Sequence, residues 1–213
     1  MTGERYVRAI VYLVAFTWTV ILYAIYGAIS STWLQPVSIV VTIVVYAVVA
    51  FDLWLWRLPF LQGWFVKRPV IDGSWKVELR SNWRDPNTET GILPIEGYMV
   101  VRQTFSTLSM RLMTEESISE LVGTEIVCSV DSQYCVSGVY RNEPRLHVRE
   151  SSTIHYGAVW LRIIDEPVMK LIGHYWTDRQ TAGEMELTHR QKGQTFQTFQ
   201  SAQAHYRNLL RNS

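Results

Sequence analysis

Hydrophobic and polar positions follow two regimes along this chain. Between Arg8 and Asp52 there are 43 positions without a charge, about twice the roughly 20 residues a helix needs to cross a bilayer. Ser30-Ser31-Thr32-Trp33-Leu34-Gln35-Pro36 interrupts the run. The pattern predicts one helix over about 9–29 and a second over about 37–56, joined by a short hairpin. From about 71 onward, short runs alternate between apolar and polar residues and are separated by turn residues, the period of strands with one covered face.

Eight such runs are legible, at about 73–83, 95–105, 107–114, 117–130, 133–142, 153–164, 168–177 and 183–190. Mostly short links favour an antiparallel up-and-down meander, and closing it removes exposed strand edges. The fold class expected is therefore a membrane protein: two N-terminal transmembrane α-helices, then an up-and-down eight-stranded β-barrel of lipocalin-like type, then a short C-terminal helix. Phe196, Phe199, Tyr206 and Leu210 fall near helical spacing in the tail, at about 195–210. The division predicted is a transmembrane hairpin over 1–56, a linker over 57–70, a barrel over 71–190 and a helical tail over 191–213.

A cleaved signal peptide is the rival reading of the N-terminus. Its apolar core would span only about 7–15 residues and end at small residues, whereas this run is longer, carries Trp18, Tyr23 and Tyr26, and leads into a second span. Arg5 and Arg8 precede the first helix; Arg57, Lys67 and Arg68 follow the second, and the hairpin has no basic residue. By the positive-inside rule both termini are cytoplasmic. Trp33 and the Trp54/Trp56 pair stand where interfacial aromatic belts belong. Ala24 and Ala28 form a small-xxx-small pair that lets helices approach closely. Asp52 reads either as an interfacial carboxylate reaching water or as a contact between subunits.

Composition narrows the function. The chain of 213 residues has a net charge of +1 and two Cys. That gives no polybasic surface for DNA or RNA and no disulfide framework or four-Cys zinc site. The motifs H-E-x-x-H and G-x-S-x-G and a Gly-rich phosphate loop are missing, and His147, His155, His174, His189 and His205 lack metal-ligand spacing. Neither enzymatic chemistry nor a metal or cofactor is expected. Cys128 and Cys135, on either side of the Asp131-Ser132 turn, read as reduced cross-strand neighbours.

Alternation also sorts the barrel interior. With residue 73 at the bottom, the runs place Leu108, Met110, Leu112 and Thr114 on one inward face, His155, Gly157, Val159, Leu161 and Ile163 on another, and Met169, Leu171, Gly173, Tyr175 and Thr177 on a third. Each is apolar toward the bottom and polar or aromatic toward the top. Buried polar groups need partners, so the top reads as a ligand mouth built from Trp83, Thr114, Tyr140, His155, Tyr175, Thr177 and Arg179. Such a set suits a ligand with rings and negative charge; a solvated rim is the plainer alternative. At the bottom, Gly73-Ser74-Trp75 and Arg190 read as a structural plug, a Trp closing the barrel beneath an Arg, as in lipocalin-like barrels.

Two apolar helices followed by Ile71-Asp72-Gly73-Ser74-Trp75, Thr114-Glu115-Glu116-Ser117-Ile118-Ser119 and Gly173-His174-Tyr175-Trp176-Thr177-Asp178-Arg179-Gln180-Thr181-Ala182-Gly183 resemble a known family. It is that of the two-transmembrane β-barrel effectors of CBASS, the bacterial cyclic-oligonucleotide-based antiphage systems (SMODS-associating two-TM, β-strand-rich effectors). The likeness covers about 5–190, and its most specific element is the G-x-Y-x-T-x-R-x-x-x-G hairpin. The resemblance implies a cytoplasmic barrel that binds a cyclic dinucleotide made by a CD-NTase cyclase, without necessary direct contact with that enzyme. The effector then oligomerises in the bacterial inner membrane and disrupts it, killing the cell before phage matures. By motif position the resemblance makes Thr114, Ser117, Ser119, Tyr175, Thr177 and Arg179 ligand residues. A membrane-anchored lipocalin-like carrier or scaffold without a toxic step is the alternative, and it would keep apolar residues up to the mouth.

Overall fold

The computed structural model describes residues 12–21, 23–24, 34–84, 88–129, 131–150, 152–165 and 167–211. The chain divides into two compact units, 1–66 and 67–213.

In the first unit, residues 12–21 and 23–24 are helical, and a second helix runs Leu34–Leu53. That helix starts and ends about three residues earlier than the sequence pattern predicts. Pro36 falls inside its first turn, where a missing N–H costs nothing. At the other end the chain turns at Trp54 into a 3₁₀ turn over Leu55–Arg57. Described side chains in the Leu34–Leu53 helix begin at Val40, and Val41, Ile43, Val45, Tyr46 and Val49 are exposed. Counted over the residues so described, no helix is long and apolar enough to cross a membrane. Ala24 is helical and exposed; Ala28 and the Ser30–Trp33 part of the expected hairpin lie outside the described residues. Asp52 is half-buried in the last turn of the Leu34–Leu53 helix.

The second unit is a closed antiparallel barrel in which the strands follow one another and the last returns to the first. They are β1 (Gly73–Ser81), β2 (Ile95–Gln103), β3 (Leu108–Thr114), β4 (Ser117–Cys128), β5 (Tyr134–Pro144), β6 (His155–Ile164), β7 (Lys170–Thr177) and β8 (Ala182–Gln191). The eight expected runs and the meander are thus observed, with ends shifted by a few residues at most. Trp83 lies beyond the end of β1 instead of on it. Met169 precedes β7 and is exposed, so it leaves the inward set.

The lower barrel is filled by Trp75, Val77, Val101, Met110, Val136, Leu161, Ile163, Leu171 and Leu187. Each such side chain contributes roughly 1.5–3 kcal/mol when fully buried. The plug is present: Trp75 is fully buried, its Nε1 donates to the Ile71 carbonyl at 3.0 Å, and the Arg190 guanidinium lies 5.6 Å from its ring centroid. Arg190 Nε and Nη2 donate to the Asp72 carbonyl at 2.9 and 2.7 Å. Pairing passes from Ser74↔Gln191 to Lys76↔Thr188, so two residues of β8 oppose Trp75, and His189 there has φ 52°. This bulge changes the strand's parity and carries Arg190 to the side of Trp75. Gly73 has φ 121°, and a Cβ there would meet the Gln191 carbonyl, so glycine suits the entry to β1.

A second, smaller core covers the outer face of β2. The C-terminal helix, Phe199–Arg211, buries Phe199, Ala202 and Tyr206 against Tyr98, Val100 and Met113. It docks on the barrel, as the spacing of its aromatic residues predicts. Arg111 Nη2 donates to the Phe196 carbonyl at 2.8 Å and Ser74 Oγ to that of Gln194 at 2.7 Å, holding the lead-in to the helix. The cysteines are free: Cys135 is buried and Cys128 exposed. They are not directly opposed, because the register pairs Val127 with Cys135 and Cys128 with Tyr134.

Candidate functional site at the barrel mouth

Above the core the barrel stays open. A cavity of about 880 Å³ occupies its upper half, within the size range of small-ligand sites. Its apolar walls include Leu79, Met99, Leu112, Leu121, Val159 and Met185. Its rim is polar, in the order that strand alternation predicts.

The structure brings every residue assigned to the mouth from the sequence to this one cavity. Thr114, Ser117 and Ser119 come from the β3–β4 turn, Tyr140 from β5 and His155 from the start of β6. Tyr175, Thr177 and Arg179 come from β7 and the β7–β8 turn, and Trp83 from the segment after β1. Asn142, Ser152 and Thr181 line it too. Asn142 lies two residues beyond Tyr140, so the same alternation points to it; Ser152 lies on a connection without a period.

Hydroxyl-to-backbone bonds preset the two turns. At β3–β4, the Ser117 N–H donates to Thr114 Oγ1 at 3.0 Å, and the two side-chain oxygens lie 3.1 Å apart. At β7–β8, Thr177 Oγ1 accepts from the N–H groups of Arg179 (3.2 Å) and Thr181 (3.3 Å) and lies 2.7 Å from Thr181 Oγ1. Asp178 ties this turn to β6 through the Tyr156 backbone: its N–H donates at 2.9 Å, and its Oδ2 accepts at 3.1 Å. Arg179 is exposed, and its Nη1 donates to Ser152 Oγ at 3.3 Å.

Tyr140 and Tyr175 lie over glycines of the neighbouring strands. Their register partners are Gly157 and Gly183, and a Cβ on either glycine would strike the tyrosine ring. An aromatic paired with glycine across strands covers the bare backbone and fixes the ring. Burial raises the Tyr140 phenol above its ordinary value; the nearby Tyr175 and Asp178 add to this and Arg179 opposes it. The phenol donates to the Trp176 carbonyl at 3.5 Å, a long bond that a ligand acceptor can replace.

The charge around the rim is uneven. Arg179 stands on the β7–β8 side, and Glu115 and Glu116 line the rim at the β3–β4 turn. That distribution suits an anion on the first side and a hydrogen-bond donor on the second. Among the described residues no group of His, Cys, Asp and Glu could hold a metal ion.

Residues 66–189 match the family described as Cap15, cyclic dinucleotide receptor domain. This span covers more than half of the chain. The chain belongs to the Cap15 family. Two relatives, each named CD-NTase-associated protein 15, agree. The one from Staphylococcus schleiferi is 25% identical over 174 residues, 79% of this chain and 90% of the relative. The one from Yersinia aleksiciae is 30% identical over 140 residues, 65% of this chain and 63% of the relative. The CBASS resemblance read from the sequence motifs is borne out by this membership. In Cap15 terms, the matched segment is the barrel from just before β1 to His189 in β8, and it supplies all of the cavity lining except Phe199 and Gln203 of the C-terminal helix.

Proposed function

We propose that the chain is a membrane-bound CBASS effector whose barrel mouth binds a cyclic dinucleotide. The observation that carries this reading is the convergence, on one cavity of a Cap15 barrel, of two buttressed tyrosine rings, a guanidinium and a set of preset hydroxyls. Bases stack on aromatic faces for about 1–3 kcal/mol each, and Arg pairs with phosphate in a fork geometry. The ligand is made elsewhere, by a CD-NTase cyclase, and the barrel acts as a sensor without a catalytic step.

The remainder of the proposal concerns the membrane. Two N-terminal helices span the bacterial inner membrane with both termini cytoplasmic, and ligand binding drives their oligomerisation and the loss of the membrane barrier. Support comes from the uncharged run between Arg8 and Asp52 and from exposed apolar side chains such as Val41, Val45 and Val49. Ligand acts only through differential affinity for the assembled state, and a nearly complete shift requires about 5.5 kcal/mol of such preference. The test expresses the full chain beside a cognate cyclase and follows a membrane-potential dye and cell survival. Depolarisation that requires both the cyclase and residues 1–56 is the expected outcome. Killing by a chain lacking 1–56 overturns the membrane part, and full toxicity in Arg179→Ala overturns the sensing part.

A further inference from the structure

We propose that Asn142 and His155 form a pair of hydrogen-bond acceptors that selects a guanine base in the mouth. The inference rests on reading the mouth as a cyclic dinucleotide site and names the base it reads. Asn142 of β5 and His155 of β6 are register partners, and both line the cavity. Directly opposed residues bring their Cβ atoms to about 4.5–5.5 Å.

The amide of Asn142 is oriented by the hydroxyls beside it. Thr114 Oγ1 donates to the Ser117 carbonyl at 3.3 Å. The Ser117 hydroxyl, 3.1 Å from Thr114 Oγ1, turns its own proton toward that oxygen. Its lone pairs are then left for Asn142, whose Nδ2 donates to Ser117 Oγ at 3.0 Å and Ser119 Oγ at 2.8 Å. Both amide protons are engaged. Oδ1 is closed off from solvent and has no hydrogen-bond partner among the described residues; a donor reaches it once the side chains over it move aside, and an unpaired acceptor gains most from such a donor.

The tautomer of His155 is set in the same way. Its Nδ1 lies 3.0 Å from the Thr153 carbonyl, which can only accept, so Nδ1 carries the proton and the neutral ring presents Nε2 as an acceptor. Nε2 has no partner among the described residues. Two neighbouring acceptors call for two neighbouring donors. Guanine offers them on its Watson–Crick edge, as N1–H and the 2-amino group. Adenine has a single donor group beside an acceptor, and uracil has one N–H between two carbonyls. The phosphates are then left to Arg179, which stands beside His155 where the β7–β8 turn meets the start of β6.

The experiment titrates the full chain in detergent with cyclic di-GMP, cyclic di-AMP and cyclic di-IMP, in 3′,3′ and mixed linkages, by calorimetry. Hypoxanthine differs from guanine by the 2-amino group alone, so the comparison is made on the unaltered protein. Guanine is expected to bind about tenfold more tightly than hypoxanthine or adenine, the size of one well-made bond at a buried acceptor. In His155→Phe and Asn142→Leu the guanine–hypoxanthine gap is expected to close to about twofold while binding persists. An adenine preference, or equal binding of guanine and hypoxanthine by the unaltered chain, overturns the acceptor pair and leaves the site standing. Failure of every ligand to bind overturns the site reading as well.

Discussion

Tyr175 lies across Gly183. The two residues are register partners on β7 and β8, and a Cβ added to Gly183 would meet the Arg80 carbonyl of β1 at 2.3 Å and the tyrosine hydroxyl at 2.7 Å. The glycine is therefore part of the seat of the ring. Gly183→Ala is expected to displace Tyr175 and weaken cyclic dinucleotide binding about as much as Tyr175→Ala, with about 1–3 kcal/mol of lost stability from overpacking. Calorimetry and a urea melt on the same preparation separate the two effects. Unchanged affinity in Gly183→Ala would mean that the ring does not need this position.

Arg179 is the one cation among the barrel residues singled out at the mouth. Arg179→Ala and Tyr175→Ala are each expected to weaken binding roughly tenfold or more, at about 1.4 kcal/mol per decade; Thr114→Val should do less. Because Arg179 is exposed, its contribution is screened by salt. Affinity of the unaltered chain should fall between 50 and 500 mM NaCl, and Arg179→Ala should flatten that dependence. A variant with an unchanged salt slope would place the phosphates elsewhere.

Removing Arg190 would expose the other end of the barrel. Its side chain is almost wholly buried, and it holds the Asp72 carbonyl as well as the Trp75 face. Arg190→Ala is expected to cost about 2–4 kcal/mol, from a lost charge-assisted hydrogen bond and a lost cation–π contact. Arg190→Lys should recover part of this. Chemical denaturation measures both, and a loss below about 0.5 kcal/mol in Arg190→Ala would relieve the plug of any structural role.

Buried tyrosines set the alkaline limit of stability. Tyr98, Tyr140 and Tyr206 have phenols raised above the ordinary value, with burial the largest cause in each. A raised acid binds its proton more tightly in the folded state. The associated stability is fully present below an ordinary phenol pKa of about 10 and is lost as the pH climbs past it toward the folded-state value. Unfolding midpoints should be flat with respect to these groups from pH 7 to 9 and fall above pH 10. Tyr206→Phe should show a shallower fall, which a pH series of thermal melts would detect.

The membrane and the mouth should be separable by mutation. Asp52→Asn, or a bulky replacement at Ala24, is expected to leave ligand affinity within twofold while reducing assembly on native gels and dye uptake in cells. Substitutions at the mouth should abolish binding and toxicity together. An Asp52→Asn chain that assembles and depolarises normally would remove Asp52 from the contact.

The strand plan was legible because one face of most strands is dry, so the side-chain period of two is written directly in β1, β3 and β6. β2 was harder. Tyr98, Met99, Val100 and Val101 are all buried, since one face meets the barrel core and the other the C-terminal helix, and a continuous apolar run has no parity to read. Arg190 shows a different limit. Strict alternation from Leu187 would turn it outward, and only the bulge at His189 carries it to Trp75; a bulge leaves no mark in a period-two pattern. The mouth residues were found because alternation and the hairpin motif pointed to the same end. Asn142 lies within reach of the same alternation, two residues beyond Tyr140, but its bonds to Ser117 and Ser119 do not, because they join residues 25 and 23 apart in the sequence.

Closure between β1 and β8 joins parts of the chain about 118 residues apart, as the Arg190–Asp72 bond does. Nearly the whole barrel sequence must therefore be synthesised before its first strand acquires its second neighbour. During that interval the outer edge of β1 and the advancing edge of the sheet are open to other chains. High sequence separation also slows the closing step itself. How long those edges stay open is therefore set by chain elongation together with the closing step, whatever the depth of the finished core.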